Sequence, residues 1–472
     1  MKKVIQLMVL SILFLALPLQ SFASINSAVI SNLGSGDAAV TIRDIDTGKI
    51  VYSHNGNKLM RPASNMKLVS GAAALGILGE DYRFTTDLYI DGKIQNNVLN
   101  GNVYIKGSGD PTLTKADFIE FVYILKQKGI RKINGNLVGD DKAFSGSTLP
   151  VGVEKVDESY YFGARTSAIT MSQNEDFDAS TVIINATPGN IGAKPSYTIQ
   201  PNLSGLVISN QARTVKNGQK NTLKIERVYN SNKVIISGDL PKGSSKKEWV
   251  TLQDPSVNTM QAIKLVMQGS GITFSSNSKI VLAPVKDDAR LLYTNKSKPL
   301  ATIFPAFMKL SNNSIADILV KTMGRQELEE GSTTAGTKVL KSYSQSIGLA
   351  VDNWRFVDGS GLANSNRVTS DGLSQLLFAV QQEPYFNTYF NSLPVAGNSE
   401  RMVGGTLRKR LTATNLQNRI FAKTGYIPNV YTLSGYIKGN SGKQYIFSIL
   451  LENKANGITY IDRTVTELVK NL

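Results

Sequence analysis

Residues 62–75 read Pro-Ala-Ser-Asn-Met-Lys-Leu-Val-Ser-Gly-Ala-Ala-Ala-Leu. A proline break at Arg61-Pro62 is followed by small and apolar residues, which predicts a helix that is buried rather than surface-lying. Ser64 and Lys67 then share one helix face, and the amine sits beside the hydroxyl. The N-terminus of such a helix favours negative charge developing on oxygen. The pair offers a serine nucleophile whose base is a lysine.

The composition makes that pairing matter. The chain has 472 residues, no cysteine and a single histidine, His54. Disulfide frameworks, thiolate nucleophiles, iron–sulfur clusters and cysteine-ligated zinc are excluded, as is a site built on two or three histidines. A Ser-His-Asp triad has only His54 to draw on. No metal site and no cofactor is expected. Apolar residues make up 41% and charged residues 19%, enough to bury sizeable cores and too apolar for a disordered chain. The net charge of +16 favours anionic surroundings: nucleic acid, acidic lipid or a wall polymer.

The N-terminus chooses among these. Met1-Lys2-Lys3 is a short basic start, Val4 to Leu19 is almost wholly apolar, and Ser21-Phe22-Ala23 places small residues at a cleavage site. This reads as a secretory signal peptide over residues 1–23, removed after about Ala23. Export to the periplasm follows, away from nucleic acid. No later stretch is apolar for long enough to span a membrane, so no transmembrane anchor is expected in the mature chain, which leaves peripheral contact with the envelope.

Along the chain, Ala39–Arg43 and Ile50–Ser53 read as a hairpin around Asp46-Thr-Gly48. From about residue 83 to 255, short β-prone runs alternate with turns, with one helical pattern at Lys115–Gln127. Lysines 216, 220, 224, 233, 242, 246 and 247 crowd the second part of this block, a candidate contact for an anionic polymer or simply a solvated basic face. Helical patterns return from Asp254-Pro255, at Met260–Gly269, Ile315–Gln326, Gly331–Ile347 and Ser370–Gln382. Val430–Lys438 and Gln444–Leu451 form a second hairpin, and Ile461–Lys470 a closing helix. The expected fold is an α/β (α+β) domain over 24–82 and 256–472, split by a β-rich insertion at 83–182 and a second, basic lobe at 183–255.

Ser-x-x-Lys alone is weak: Ser244–Lys247 and Ser276–Lys279 repeat it, both in turn-like, polar surroundings. Two more pieces separate Ser64 from these. Ser311-Asn312-Asn313 precedes a helical pattern, and Lys423-Thr424-Gly425 precedes the C-terminal hairpin. The three motifs in this order resemble those of penicillin-binding proteins and class A β-lactamases. The long β-rich block between the first two resembles the D-alanyl-D-alanine carboxypeptidase/endopeptidase family, the low-molecular-mass class C penicillin-binding proteins. The likeness extends to Gly-Ser-Gly-Asp-Pro-Thr-Leu (107–113), Asp-Gly-Ser-Gly-Leu (358–362), Leu-Pro-Val-Ala-Gly (393–397) and Gly-Thr-Leu-Arg-Lys-Arg (405–410).

The resemblance implies a penicillin-binding transpeptidase-like fold and an acyl-enzyme on Ser64. Lys67 would be its base, held partly neutral by Lys423. Ser311 would relay a proton to the leaving amine, and Asn313 would hold the substrate amide and orient Lys67. Lys423 and Thr424, with Gly425, would receive the terminal carboxylate of D-Ala-D-Ala or of a β-lactam. Backbone N–H groups of Ser64 and Tyr426 would form the oxyanion hole. Asp157 and Phe162 match the family's contact with the peptide amine. The implied partners are peptidoglycan stem peptides, with β-lactams as covalent inhibitors.

Departures from the family pattern are also visible. Tyr426 stands where a small residue is common, and Asn312 where aspartate is frequent. Arg367 is displaced behind Ala363-Asn-Ser-Asn366, and Asn398–Gly404 lengthens a loop. A β-lactamase-like hydrolase and a non-catalytic, basic wall-binding protein are the alternatives. No Glu-x-x-x-Asn stretch follows soon after Ser311 to speed deacylation, and the complete motif set argues against a dead site.

Overall fold

The computed structural model describes residues 23–34, 36–202 and 205–472. The expected signal peptide lies outside these residues, apart from Ala23. The chain divides into two compact units. One comprises the chain up to Ile77, Phe304–Ser311 and Leu340–Leu472; the other comprises Leu78–Ile303 and Asn312–Val339.

The first unit is built on a five-stranded antiparallel sheet. Its order is Ile50–His54, Ala38–Asp44, Gln444–Glu452, Val430–Lys438 and Ile420–Ile427. Both expected hairpins are therefore neighbours in one sheet, joined by the pairing of Val40 with Ile449. Strand alternation gives the sheet two different faces. Leu433, Ile437, Phe447, Ile449, Val40 and Ile42 turn to one side. There they pack on the closing helix Gly457–Asn471 and on residues 23–33, a helix that the sequence pattern did not announce. The opposite face carries Thr432, Ser434, Ser448, Thr41 and Tyr436. Its buried hydroxyls are satisfied one by one: Thr41 on Ser370 (2.9 Å), Ser434 on Ser448 (2.8 Å) and Tyr436 on the Leu377 carbonyl (2.7 Å).

The helix Met66–Leu78 belongs to this unit as far as Ile77, and Met66 through Leu75 are all buried. The small residues read from the sequence serve that burial. A Cβ on Gly71 would stand 3.0 Å from the Phe304 ring. Phe304 lies on Leu300–Lys309, a further helix missed in the sequence because Pro305 interrupts it.

The second unit is β-rich, as expected. It contains sheets of five, four, three, three and two strands among the described residues, with the helices Lys115–Gln127 and Pro255–Gly269 packed together. One apolar cluster runs from Leu88 through Val182, Ile225 and Val250 to Ile272. Residues 83–182 and 183–255 therefore share a core. Helix Pro255–Gly269 is in this unit too, since Met260, Ile263 and Met267 join that core.

Candidate active site

Ser64 lies in a single 3-10 turn, Ala63–Asn65, that runs directly into Met66–Leu78. Ala63 adopts φ +44°, a conformation rare for a residue with a Cβ, and so delivers the turn to the helix end under strain. The Lys67 amine is 3.1 Å from Ser64 Oγ and donates to the Ser360 carbonyl at 2.8 Å. Lys67 is fully buried.

That carbonyl is held in place by Asp358. Its carboxylate accepts from the backbone of Gly361 and Ala363 (both 2.7 Å) and from Asn366 Nδ2 (2.8 Å). Gly361 takes φ +84°, and a Cβ there would lie 1.7 Å from the Ala63 carbonyl oxygen. Only glycine lets this loop meet the Ser64 turn. The Gly359 carbonyl accepts from Ser70 Oγ at 2.8 Å, a second tie to the same helix. The phrase Asp-Gly-Ser-Gly-Leu thus orients the amine; sequence reasoning noted the phrase without assigning it this task.

Lys423 is also fully buried, on the edge strand Ile420–Ile427. Its ammonium donates to Ser311 Oγ (2.8 Å) and to the Thr424 carbonyl (2.9 Å). Burial first, and repulsion from Lys67 second, push Lys423 well below the usual lysine range. Ser311 holds φ +60°, which turns the chain sharply just after Leu300–Lys309 and presents the hydroxyl to Lys423.

The edge strand meets the Ser64 turn closely. A Cβ on Gly425 would be 3.0 Å from the Ser64 backbone nitrogen and 2.1 Å from Thr432 Oγ1. Asn65 buttresses this junction: with its nitrogen donating to the Lys423 carbonyl (3.0 Å) and Thr432 Oγ1 (2.8 Å), its oxygen accepts from Ser434 Oγ (2.6 Å). Ala422 N–H leaves the sheet outward, to the Pro394 carbonyl. By the alternation of an antiparallel strand, the N–H groups of Thr424 and Tyr426 face the same outer edge. The Tyr426 ring is exposed and rests 5.4 Å from Tyr431. Thr424 Oγ1 reaches Thr406 Oγ1 at 2.7 Å, a partner that sequence reasoning did not single out.

Ser64, Lys67, Ser311, Lys423, Thr424, Gly425 and Tyr426 all belong to the first unit. Asn313, Asp157 and Phe162 belong to the second. There Asn313 opens helix Asn313–Leu328 and its Nδ2 donates to the Phe162 carbonyl (2.9 Å). Phe162 is half-buried and stacks on Tyr160, with Asp157, also half-buried, in the preceding turn. Asn312 caps the helix by accepting from Ile315 N (3.0 Å), and its amide nitrogen donates to Asp176 O and Asp178 Oδ1. Its place in the motif is structural, and a cap accepts Asn as well as Asp. Arg367 donates to the Asn364 and Asn366 carbonyls (both 2.7 Å), bracing its own loop. The decoy Ser244 turns back onto the Pro241 carbonyl, while Lys247 lies over the Trp249 ring; neither is on a helix. Among the described residues no group of acidic or histidine side chains is arranged to hold a metal.

A lysine-paired serine at a helix start, with a second buried lysine on the adjoining strand, is set in a chain whose residues 23–468 match the model of the D-Ala-D-Ala carboxypeptidase 3 (S13) family. The chain belongs to that family. It is 32% identical over 415 residues to a D-alanyl-D-alanine carboxypeptidase of Actinomadura sp. (strain R39), covering 88% of this chain and 77% of that one. The crystal structure of penicillin binding protein 4 (dacB) from Haemophilus influenzae superposes with a TM-score of 0.80 at 25% identity, covering 94% of this chain and 99% of that one. The same Haemophilus protein complexed with a β-lactam gives a TM-score of 0.75, again at 25% identity and with the same coverage. The mixed α/β architecture of this S13 member is thus that of a penicillin-binding protein. No helix among its described residues is long and apolar enough to cross a membrane.

Proposed function

We propose that this S13 member is an exported serine D-Ala-D-Ala carboxypeptidase, and by the same chemistry an endopeptidase, acting on peptidoglycan stem peptides in the periplasm. The observation that carries the reading is the Lys67 amine 3.1 Å from Ser64 Oγ, with a second buried lysine repelling it. In its neutral form Lys67 keeps an N–H for the Ser360 carbonyl and turns its lone pair to Ser64. It takes the hydroxyl proton as Ser64 Oγ bonds to the carbonyl carbon of the penultimate residue.

The Ser64 and Tyr426 N–H groups then hold the oxyanion, an arrangement worth about 3–4 kcal/mol per donor when preorganised. Collapse breaks the peptide bond. The leaving amine takes, relayed through Ser311, the proton that Lys67 removed from Ser64, which leaves Lys67 neutral again; the Ser311 hydroxyl is hydrogen-bonded to the Lys423 amine. Thr424 and Lys423 offer hydroxyl and charge to the substrate's terminal carboxylate. Water attacks the ester, Lys67 accepts its proton and returns it to Ser64 Oγ as the acyl bond breaks, and the free serine is regenerated. Asn313, Asp157 and Phe162 are proposed substrate contacts on the family's motif alone. A β-lactam follows the same first step and stays attached.

Digestion of purified peptidoglycan, with products identified by mass, tests the activity. Loss of one alanine marks the carboxypeptidase and splitting of cross-linked dimers the endopeptidase. Neither product from wild type would overturn the reading. Ser64→Ala is expected to abolish covalent labelling by a fluorescent penicillin with the fold intact; labelling that persists would move the nucleophile elsewhere.

A further inference from the structure

Lys309 is buried, and nothing in the mechanism above uses it. It is the last residue of Leu300–Lys309, one step before the turn that presents Ser311. Its ammonium donates to the Leu393 carbonyl at 2.8 Å and to the Val403 carbonyl at 3.1 Å. Leu393 precedes the lengthened loop Asn398–Gly404, and Val403 lies at its far end. Two residues beyond Val403, Gly405 sits at φ +52°, and a Cβ there would stand 2.4 Å from the Lys309 carbonyl oxygen. The next residue is Thr406, which meets Thr424 Oγ1 at 2.7 Å. Lys309 thus ties the approach to the loop and its far end onto the segment that carries Ser311.

The charges around it do not account for its burial. Its own helix carries no other charged residue. The loop carries Glu400 and Arg401, both exposed, and the Arg408 side chain that follows donates to the Gly405 carbonyl at 2.8 Å. On the adjoining edge strand the charged group is Lys423, of the same sign. A buried ammonium held by neutral carbonyls costs stability relative to an apolar side chain, so it calls for a reason other than packing.

We propose that Lys309 is a positioning residue for substrate capture: through Leu393 and Val403 it fixes Thr406, and so the Thr424 hydroxyl that receives the terminal carboxylate. The inference rests on the carboxypeptidase reading of Thr424. It predicts an effect on KM more than on kcat, because Ser64 and Lys67 are left in place.

Burial pushes the Lys309 ammonium down to about 8, so the clamp weakens within an accessible pH range. In wild type, KM for a D-Ala-D-Ala peptide should rise as pH increases through about 8 while kcat holds. Lys309→Met should raise KM about tenfold at pH 7 and remove that pH dependence. Lys309→Arg keeps a charge that does not titrate, so KM should stay flat to higher pH.

The role is overturned if wild-type KM is flat from about pH 7 to 9.5, a test that needs no variant to fold. It is overturned also if Lys309→Met lowers the melting temperature while leaving KM and its pH profile unchanged. Stoichiometric penicillin labelling of Ser64 in the same samples keeps the two questions apart. Labelling with an unmoved KM sinks the positioning role alone. Absent labelling in wild type sinks the acyl-enzyme reading beneath it.

Discussion

Adding one methyl group at Gly425 tests the geometry of the acyl site without removing any reacting group. Gly425 does not adopt a left-handed conformation, so what it supplies is space rather than backbone freedom. A Cβ would lie 2.1 Å from Thr432 Oγ1, and an ordinary contact begins near 3.4 Å, so the two must part by about 1.3 Å. Thr432 cannot simply rotate away. Its hydroxyl is pinned by the Pro62 carbonyl (2.9 Å) and by Asn65 (2.8 Å). The easier movement is of the edge strand itself, outward from Ser64, whose backbone nitrogen is 3.0 Å from the new atom. That movement separates the two proposed oxyanion donors. A displacement of about 1 Å at a reacting centre costs about 100-fold, and loss of one oxyanion donor about 100- to 1000-fold. Gly425→Ala should therefore slow acylation by at least about 100-fold, with an overpacking cost of about 1–3 kcal/mol in stability. Stopped-flow acylation with a fluorescent penicillin measures the first, and a urea melt the second. Acylation within about threefold of wild type in a folded variant would refute the claim that this strand and the Ser64 turn form one oxyanion site.

Lys423→Met removes the cation that opposes charge on Lys67. The acid limb of kcat/KM, where the base must lose its proton, should move to higher pH, and an unmoved limb would remove Lys423 from the pair. Asp358→Ala frees the loop that presents the Ser360 carbonyl to Lys67, so kcat for acylation should fall about 10- to 100-fold, whereas an unchanged rate would show the amine is oriented otherwise. Asp110 is almost wholly buried, and burial raises its carboxyl to about 7. Its charge opposes folding as pH rises from the ordinary carboxylate range through about 7, so Asp110→Asn should stabilise the protein at pH 8 and not at pH 4; equal effects at both would contradict the burial argument. Asp44 behaves oppositely. Lys443 chiefly holds it down at about 2, so its contribution is full above the ordinary value of 3.8 and is lost as pH falls through about 2. Asp44→Asn should leave stability less dependent on pH between 5 and 2, as read by urea melts, and an unaltered acid slope would deny the ion pair its role.

The local elements were legible wherever pattern and propensity agreed. Lys115–Gln127 and Val430–Lys438 have the bounds read from the sequence, because each carries a clean period and a clear stop. Leu300–Lys309 was hidden by Pro305, which a helix tolerates here as one wall of a buried cluster. Ser64, Lys67, Ser311 and Lys423 could be found as residue types at set spacings, since chemistry without histidine or cysteine leaves few options. Their ties to Asp358, Ser360, Thr406 and Lys309 could not. Those ties are long in sequence and run largely through backbone carbonyls, which every residue possesses and no motif marks.

Residue order alone therefore determined the proposed nucleophile, its proposed base and much of the secondary structure that carries them, because each is a matter of local spacing and solvent preference. Tertiary structure decided which carbonyl receives the Lys67 amine, how close the edge strand stands to Ser64, and that two lysines share one buried space. Those properties depend on distances between segments hundreds of residues apart. Only closing the sheet and burying the helix sets them, and burial is what pushes the Lys423 ammonium well below the usual lysine range.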